Sequence, residues 1–488
     1  MATGTLTIPN AAVVALCDAS LSEEQAEAIY EQGKDAVIFA LLELTKQLAE
    51  AQGKTDPSIT PSTPSSMIPT YKKPPAKRRG KKRPGGKPGH PGSRRETPER
   101  IDWEVEHRAD RCPDCGGRLK RCHETRTRYI EDIPEVQPEV TEHTIHRDWC
   151  PKCKKKVEPP VADALPGCQL GNRVLVLSAW LHYALGNTLS QIVEVFNFHL
   201  QLKLTAGGLV DMWYRLQAVL FAWYEQIQQE ALDSAVLHAD ETGWRVDGKT
   251  NWLWCFVNPT LTYFMINRSR GSPALDEFFI REFDGTLITD FWGAWAPNEV
   301  WSAVVCAARQ KCLVHLLREL EQTEKYKSPG KHWPEFAKKL RRLIGDAIRL
   351  WYRQDELSPE AYASRKDRLH KRLAEMIDGP WKDNHAKRLT KRLRKYQGDL
   401  FTFLDQEGVP FDNNHAERSI RPAVILRKNS YGNRSDHGAD CQAVLMSVFR
   451  TLKQRGHDPI RTVVSAVQQF ITTKQLPPLP APKTTSDD

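Results

Sequence analysis

Ala235-Val-Leu-His-Ala-Asp-Glu-Thr-Gly-Trp-Arg-Val-Asp-Gly248 is the stretch on which the fold of this chain turns. Its first five residues are an apolar run that reads as a strand, and Asp240 ends that run. Asp247-Gly248 signals a hairpin turn. Two more strands are expected over Asn251–Asn258 and Leu261–Asn267, parted by Pro259-Thr260. A helix over Pro273–Phe283, a turn at Asp284-Gly285 and a fourth strand over Thr286–Thr289 follow, and Asp290 ends the fourth strand. Desolvating an unpaired carboxylate is expensive, so acids in such places ask for a reason. Glu241 competes with Asp240, but alternation sets His238 and Asp240 on one face and Glu241 on the other. The apolar run favours Asp240.

Strand, strand, strand, helix, strand is the opening order of the ribonuclease-H-like fold. In that fold the first and fourth strands are neighbours, so Asp240 and Asp290 converge. A third acid, Glu417, lies in Asn413-Asn-His-Ala-Glu-Arg-Ser-Ile-Arg421, which reads as a helix start. Three gathered carboxylates suit hard divalent cations, Mg2+ or Mn2+. A metal pair is a standard device for in-line displacement at phosphorus. Arg418, Arg421, Arg427 and Lys428 follow Glu417 and are candidates to meet phosphates. Residues 313–403 are helical and basic, and read as an insertion before the helix that carries Glu417. Gln310, Cys312 and His315 are weighed as supports of the site, with plain packing favoured for each. Trp244, Trp252, Trp254 and Trp292 are weighed as base-stacking platforms, with core positions favoured.

Upstream, Cys112-Pro-Asp-Cys115 and Cys150-Pro-Lys-Cys153 are two C-x-x-C knuckles, able to present four thiolates to one structural Zn2+. The gap between them calls for a β-hairpin insert, Glu124–Ile130 paired with Val140–Trp149. The remaining cysteines are scattered, which fits a reducing cytoplasm. No apolar run approaches the roughly 18 residues that span a bilayer, so no membrane partner is expected.

The 488 residues carry a formal net charge of +9, and it is unevenly placed. From Lys72 to Arg95 there are 11 Lys and Arg and no acid. Lys77, Arg78, Arg79, Lys81, Lys82 and Arg83 form the densest part, which should condense on nucleic-acid phosphates in a salt-dependent way. The reading is a multidomain α/β chain. Residues 1–52 hold an N-terminal helix (Ser22 to Gln52), with a short coiled-coil contact and an amphipathic helix packed on its own chain as equal readings. Residues 53–104 are a disordered Pro/Gly/Lys/Arg-rich linker. A zinc ribbon fills 105–168. A helical segment over 169–233 contains a candidate helix-turn-helix, Ser190–His199 and Thr205–Leu216, with Thr188 and Thr205 as N-caps. The ribonuclease-H-like core takes 234–312 and 404–460, with 313–403 inserted and a C-terminal helix and tail over 461–488.

Several motifs in one order carry a resemblance. His238-Ala-Asp-Glu-Thr-Gly-Trp-Arg-Val-Asp-Gly-Lys249, Thr289-Asp-Phe-Trp292, Gln310-Lys-Cys-Leu-Val-His-Leu-Leu-Arg-Glu319, Asn413 to Pro422, Arg427-Lys-Asn-Ser-Tyr-Gly432 and Ser447-Val-Phe-Arg-Thr-Leu-Lys453 resemble the transposases of the insertion-sequence-66 family. The resemblance covers roughly Arg111 to Pro459. It implies a DDE triad of Asp240, Asp290 and Glu417 that shares two Mg2+ or Mn2+ ions. It implies cleavage and strand transfer on double-stranded DNA, at element ends and in target DNA. It further implies homo-multimers on paired ends, accessory proteins encoded by the same element, and a nucleoid-associated, cytoplasmic life. Two other readings stay open: a zinc-containing DNA-binding regulator without catalysis, and a ribonuclease-H-like nuclease that only hydrolyses.

Overall fold

The computed structural model describes residues 97–120, 122, 124–291, 308–327 and 329–483, with Glu27, Tyr30, Glu31 and Val37. The N-terminal helix expected over Ser22–Gln52 lies almost wholly outside these residues. So do the linker lysines and arginines from Lys77 to Arg83, and Trp292. The chain divides into two compact units. One holds the described part of Lys73–Pro159 with Leu189–Leu209, and the other holds Pro160–Thr188 with the described residues from Val210 onward.

In the first unit, β1 (Asp148–Cys150) and β2 (Lys155–Val157) pair antiparallel around the second C-x-x-C turn. The hairpin expected over Glu124–Ile130 and Val140–Trp149 is absent, since residues 124–147 form no strand. Apolar side chains of this unit lie open to solvent: Trp103 is 88% exposed, Ile133 84% and Val140 93%. Over Leu189–Leu209 a helix, α2 (Leu189–Glu194), ends in a π-turn at Val195–His199. Asn197 closes the following bend, accepting from Leu204 N at 2.8 Å and donating to its carbonyl at 3.3 Å. Thr205 caps the next helix through Gly208 N.

The second unit opens with α1 (Asn172–Tyr183), and α3 (Ala206–Leu232) runs into it. At 27 residues α3 far outruns the helix expected to end at Leu216. The sheet that follows contains β3 (Val236–Val246), β4 (Lys249–Asn258), β5 (Leu261–Asn267), β6 (Thr286–Thr289) and β7 (Ala308–Lys311), in the order β5-β4-β3-β6-β7. Asp247 (φ 50°) and Gly248 (φ 69°) are both left-handed, the pairing a two-residue β3–β4 hairpin needs. β3 pairs antiparallel with β4 but parallel with β6, and β6 parallel with β7. The helix α4 (Ser272–Phe278) stops short of the expected Phe283, and Gly285 then passes close under Ser234. A Cβ there would lie 2.2 Å from the Ser234 carbonyl, so only glycine fits.

Two outcomes differ from the sequence reading. Asp240 does not end its strand: β3 continues for six residues, with Asp240 opposite Cys255 and Val246 opposite Lys249. A fifth strand, β7, precedes the insertion. The insertion itself is helical as expected: α5 (Leu313–Tyr326), α6 (Trp333–Tyr352), α7 (Pro359–Asp378), α8 (Asn384–Lys395) and α9 (Thr402–Asp405). Its core includes Trp333, Phe336, Leu340, Leu373, Leu389 and Phe403.

After the insertion come α10 (Asn414–Ser430), α11 (Asp436–Gln454) and α12 (Pro459–Thr473). Edge strand β5 is covered by α11, which deals with the usual hazard of unpaired edge groups. Ser447 Oγ accepts from Phe264 N at 2.8 Å, and Thr451 Oγ1 accepts from Thr262 N at 3.1 Å. Ser447 and Thr451 are fully buried. Ser447→Ala is therefore expected to strand a buried N–H and lower unfolding free energy by about 2 kcal/mol, read by urea denaturation.

Candidate functional site

The site is assembled by fixing α10 along β3. At its start, Asn413 is almost fully buried and donates from Nδ2 to the Ala239 carbonyl at 2.8 Å. Its Oδ1 accepts from His238 Nδ1 at 3.0 Å, so the neighbouring amide assigns the imidazole proton to that nitrogen. Burial pushes the His238 pKa down to about 4, leaving a neutral ring at pH 7. Asn413 N also donates to Cys312 Sγ at 3.2 Å, and His415 Nε2 meets the Asn258 carbonyl at 3.0 Å. At its other end, Tyr431 (φ 64°) and Gly432 (φ 125°) turn the chain back onto β3. There Asn433 N donates to the Arg245 carbonyl at 2.9 Å, and Trp244 Nε1 donates to Asn433 Oδ1 at 2.6 Å. In between, the Arg427 guanidinium donates to Thr242 Oγ1 and to the Gly243 carbonyl. Arg427 is thus a fastener between helix and strand rather than a free phosphate ligand, whereas Arg418, Arg421 and Lys428 face solvent.

This bracing brings the helix that carries Glu417 against β3. Asp240 is half-buried and Asp290 is 6% exposed. Burial first, and then the charges of Glu241, Asp290 and Glu417, push the Asp240 carboxyl well above the usual carboxylate range. Asp290 and Glu417, both far from Asp240 in the chain, thus each add to the raising of its carboxyl. Glu241 is turned away from them into its own pair: Arg270 donates to its Oε1 at 2.8 and 3.1 Å and stacks on Trp252 at 4.2 Å. Trp244 and Trp254 belong to the core.

Cations surround the cluster. Lys311, fully buried on β7, donates to Thr289 Oγ1 at 2.8 Å and to the Asp290 carbonyl at 3.0 Å. Arg318 on α5 grips Glu417 with two bonds, 2.7 and 3.1 Å, and His315 Nε2 lies 3.6 Å from the same carboxylate. Glu417 in turn raises the Arg318 pKa. Among the described residues no group of three or more His, Cys, Asp or Glu is placed to hold a metal ion. Glu417 is instead paired with the Arg318 guanidinium. Sequence reasoning gave Arg318 no part, because a pairing across 99 residues leaves no local signal. His315 it had set aside as packing. Gln310 does pack: its side chain donates to the Leu400 carbonyl at 3.1 Å and accepts from Phe403 N at 2.9 Å, tying the insertion's exit to β7.

In the other unit each C-x-x-C pair forms a tight knuckle. Gly116 N donates to the Cys112 carbonyl at 2.9 Å, and Cys153 N donates to Cys150 Sγ at 3.4 Å. Hydrogen bonds from the Asp114 and Cys115 backbone lower the Cys112 thiol pKa, and those from Cys153 lower that of Cys150. Thiols whose pKa is lowered fit a metal donor set.

Comparison with known proteins gives two family matches. The model of the zinc-finger binding domain of transposase IS66 matches residues 109–154, and that of the transposase IS66 family matches residues 167–441. The uncharacterized protein y4hP of Sinorhizobium fredii is 21% identical over 411 residues, 75% of this chain and 73% of that protein. The uncharacterized protein y4qI of the same organism is 22% identical over 241 residues, 44% of this chain and 43% of its own. These matches are consistent with use of zinc and a divalent metal and point to DNA as the partner, and no described helix is long and apolar enough to cross a membrane. With the family match spanning more than half its length, this chain belongs to the IS66 family of transposases.

Proposed function

We propose that the chain cuts and rejoins double-stranded DNA at the ends of an insertion sequence, using Asp240, Asp290 and Glu417 as a DDE triad on a ribonuclease-H-like core. The observation that carries this reading is the pinning of α10 to β3 by Asn413, which brings the helix of Glu417 to the strand that holds Asp240. Strand order β5-β4-β3-β6-β7, with its two parallel pairings beside an antiparallel meander, supports the fold assignment. The donor set is all carboxylate oxygen, which fits Mg2+ or Mn2+. When bound, such ions lower the pKa of attacking water and stabilise the leaving 3′ oxygen. Asp240 on β3 and Asp290 just past β6 would hold such ions, Lys311 braces the Asp290 backbone, and α10 carries Glu417 to β3. Water attack would give a free 3′-OH, and attack by that hydroxyl on target DNA would complete strand transfer. Cys112, Cys115, Cys150 and Cys153 would hold one structural Zn2+. Work on paired ends by a homo-multimer, with accessory proteins from the same element, in the bacterial cytoplasm, belongs to the same reading.

The deciding experiment offers a duplex with a pre-cut 3′-OH end and a target plasmid in Mg2+. Joined products are expected. Hydrolysis alone would favour the nuclease, and binding with neither product would favour a regulator.

If Glu417 must leave Arg318 to accept a metal, Arg318 competes with it. Arg318→Gln is expected to tighten Mn2+ binding about tenfold, since a charge-assisted pair contributes on the order of 1.5–3 kcal/mol. Titration calorimetry with Mn2+ reads this directly, and unchanged affinity would refute the competition.

A further inference from the structure

The insertion carries a second basic feature, distant in sequence from the acids and built by two facing helices. On α6 and just past its end, Asp346, Arg349, Leu350 and Arg353 follow three–four spacing and so share one stripe. On α7, Arg365, Arg368, Leu369 and Arg372 repeat the pattern. The two stripes line a groove of about 610 Å³. Leu350 and Leu369 are buried at 6% and 5% exposure and form its floor, while the arginines form its walls.

A solvated helix pair normally alternates charge signs so that facing residues attract. Here five guanidiniums meet one carboxylate. Arg349 and Arg372 share Asp346, the latter at 2.8 Å, and Arg353 pairs with Glu356 at 2.7 Å, outside the lining. Arg365 and Arg368 are exposed and enter no ion pair among the described residues. So concentrated a positive lining is unfavourable alone and becomes favourable with an anion. Exposed walls without a buried polar donor suit a long polyanion better than a small enclosed one. From Asp346 to Arg353 the α6 stripe runs about 10 Å, at roughly 1.5 Å per residue. Successive phosphates of one DNA strand advance about 3.4 Å along the duplex axis, so the stripe matches about three of them. Guanidinium forks suit phosphate oxygens geometrically.

We infer that the groove between α6 and α7 is a sequence-independent docking site for the phosphate backbone of duplex DNA, separate from the carboxylate site. This deepens the proposed function but needs only that DNA is the partner, not that the acids react.

The test is a salt titration of the full-length chain against a fluorescein-labelled duplex of arbitrary sequence, read by anisotropy. Arg365→Gln with Arg368→Gln should reduce the slope of log affinity against log salt by about 2, at about 0.9 per neutralised phosphate. Lys338→Gln with Lys387→Gln removes equal charge from exposed insertion positions that do not line the groove, and should leave the slope unchanged. Charge reversal, Arg365→Glu with Arg368→Glu, should lower it further, and circular dichroism checks that each variant folds. An unchanged slope in the groove double, or an equal fall in both doubles, overturns the inference. So does a groove double that binds DNA normally but no longer binds polyglutamate, which would mark an acidic protein as the occupant. Asp240→Asn should keep the wild-type slope. If wild-type protein fails to join DNA while the groove effect persists, the chemistry falls and the docking site stands.

Discussion

Asp240→Asn is expected to reduce metal-dependent strand cleavage and joining by about three orders of magnitude or more, equivalent to about 4 kcal/mol or more of lost transition-state stabilisation. The replacement is nearly isosteric and keeps the β3–β4 ladder, so the effect isolates the charge. A second readout separates this from damage to the fold. In the folded chain the Asp240 carboxyl is pushed up by burial and then by Glu241, Asp290 and Glu417, so its ionised form is disfavoured there. A raised carboxyl favours folding at low pH, and that contribution is lost as pH rises through the folded value. At pH 7 without metal the native carboxylate thus opposes folding, and the amide does not. Asp240→Asn should therefore melt higher than the native chain while being inactive, a trade expected of sites that gather like charges. Activity kept at native levels would remove Asp240 from the chemistry. A lower melting temperature would mean that the carboxylate is structurally satisfied instead.

The second large effect concerns the knuckles. Between Ile101 and Val157 the apolar side chains Trp103, Val105, Ile130, Ile133, Val136, Val140 and Trp149 are all exposed, so this segment buries almost no core of its own. Segments this poor in buried surface are ordered by a metal, a disulfide or a partner. Cys150→Ser removes a thiol whose neighbours already poise it for deprotonation. The zinc-to-chain ratio should fall from about one to near zero by atomic absorption. Trypsin should then cleave within residues 109–154 at sites protected in the native chain. Full zinc retention would exclude Cys150 as a ligand, and zinc loss without new cleavage would mean that the metal does not order the segment.

The parts of the fold that announced themselves in the sequence are those in which apolar patterning and turn residues agree. Asn251–Asn258, Leu261–Asn267 and Thr286–Thr289 are strands ending where expected, bounded by Asp-Gly, Pro-Thr and Asp-Gly pairs. The second half of β3 stayed hidden because Asp240-Glu-Thr-Gly-Trp-Arg245 has no apolar alternation. Its polar groups are satisfied by partners distant in sequence: Glu241 by Arg270 and Thr242 by Arg427. The polar strand Ala308-Arg-Gln-Lys311 escaped for the same reason, since Gln310 and Lys311 are fully buried through bonds to Leu400, Phe403, Thr289 and Asp290. The candidate acids were legible because carboxylates beside apolar runs are unusual. Arg318 and Asn413 were not, because their roles exist only once the helices are brought to the sheet.

The insertion leaves and rejoins the sheet at one place. Leu313 N at its first helix donates to the carbonyl of Phe411, just beyond its last, at 2.9 Å, and Cys312 N is held by the Thr289 carbonyl at 2.9 Å. Such a port makes the helical module a cassette, although its core also takes in Ile288 of β6 and Phe291 just past that strand. Yet the cassette's own first helix carries Arg318, so removing it would also unmask Glu417. A chain engineered without the module would leave Glu417 without its guanidinium partner.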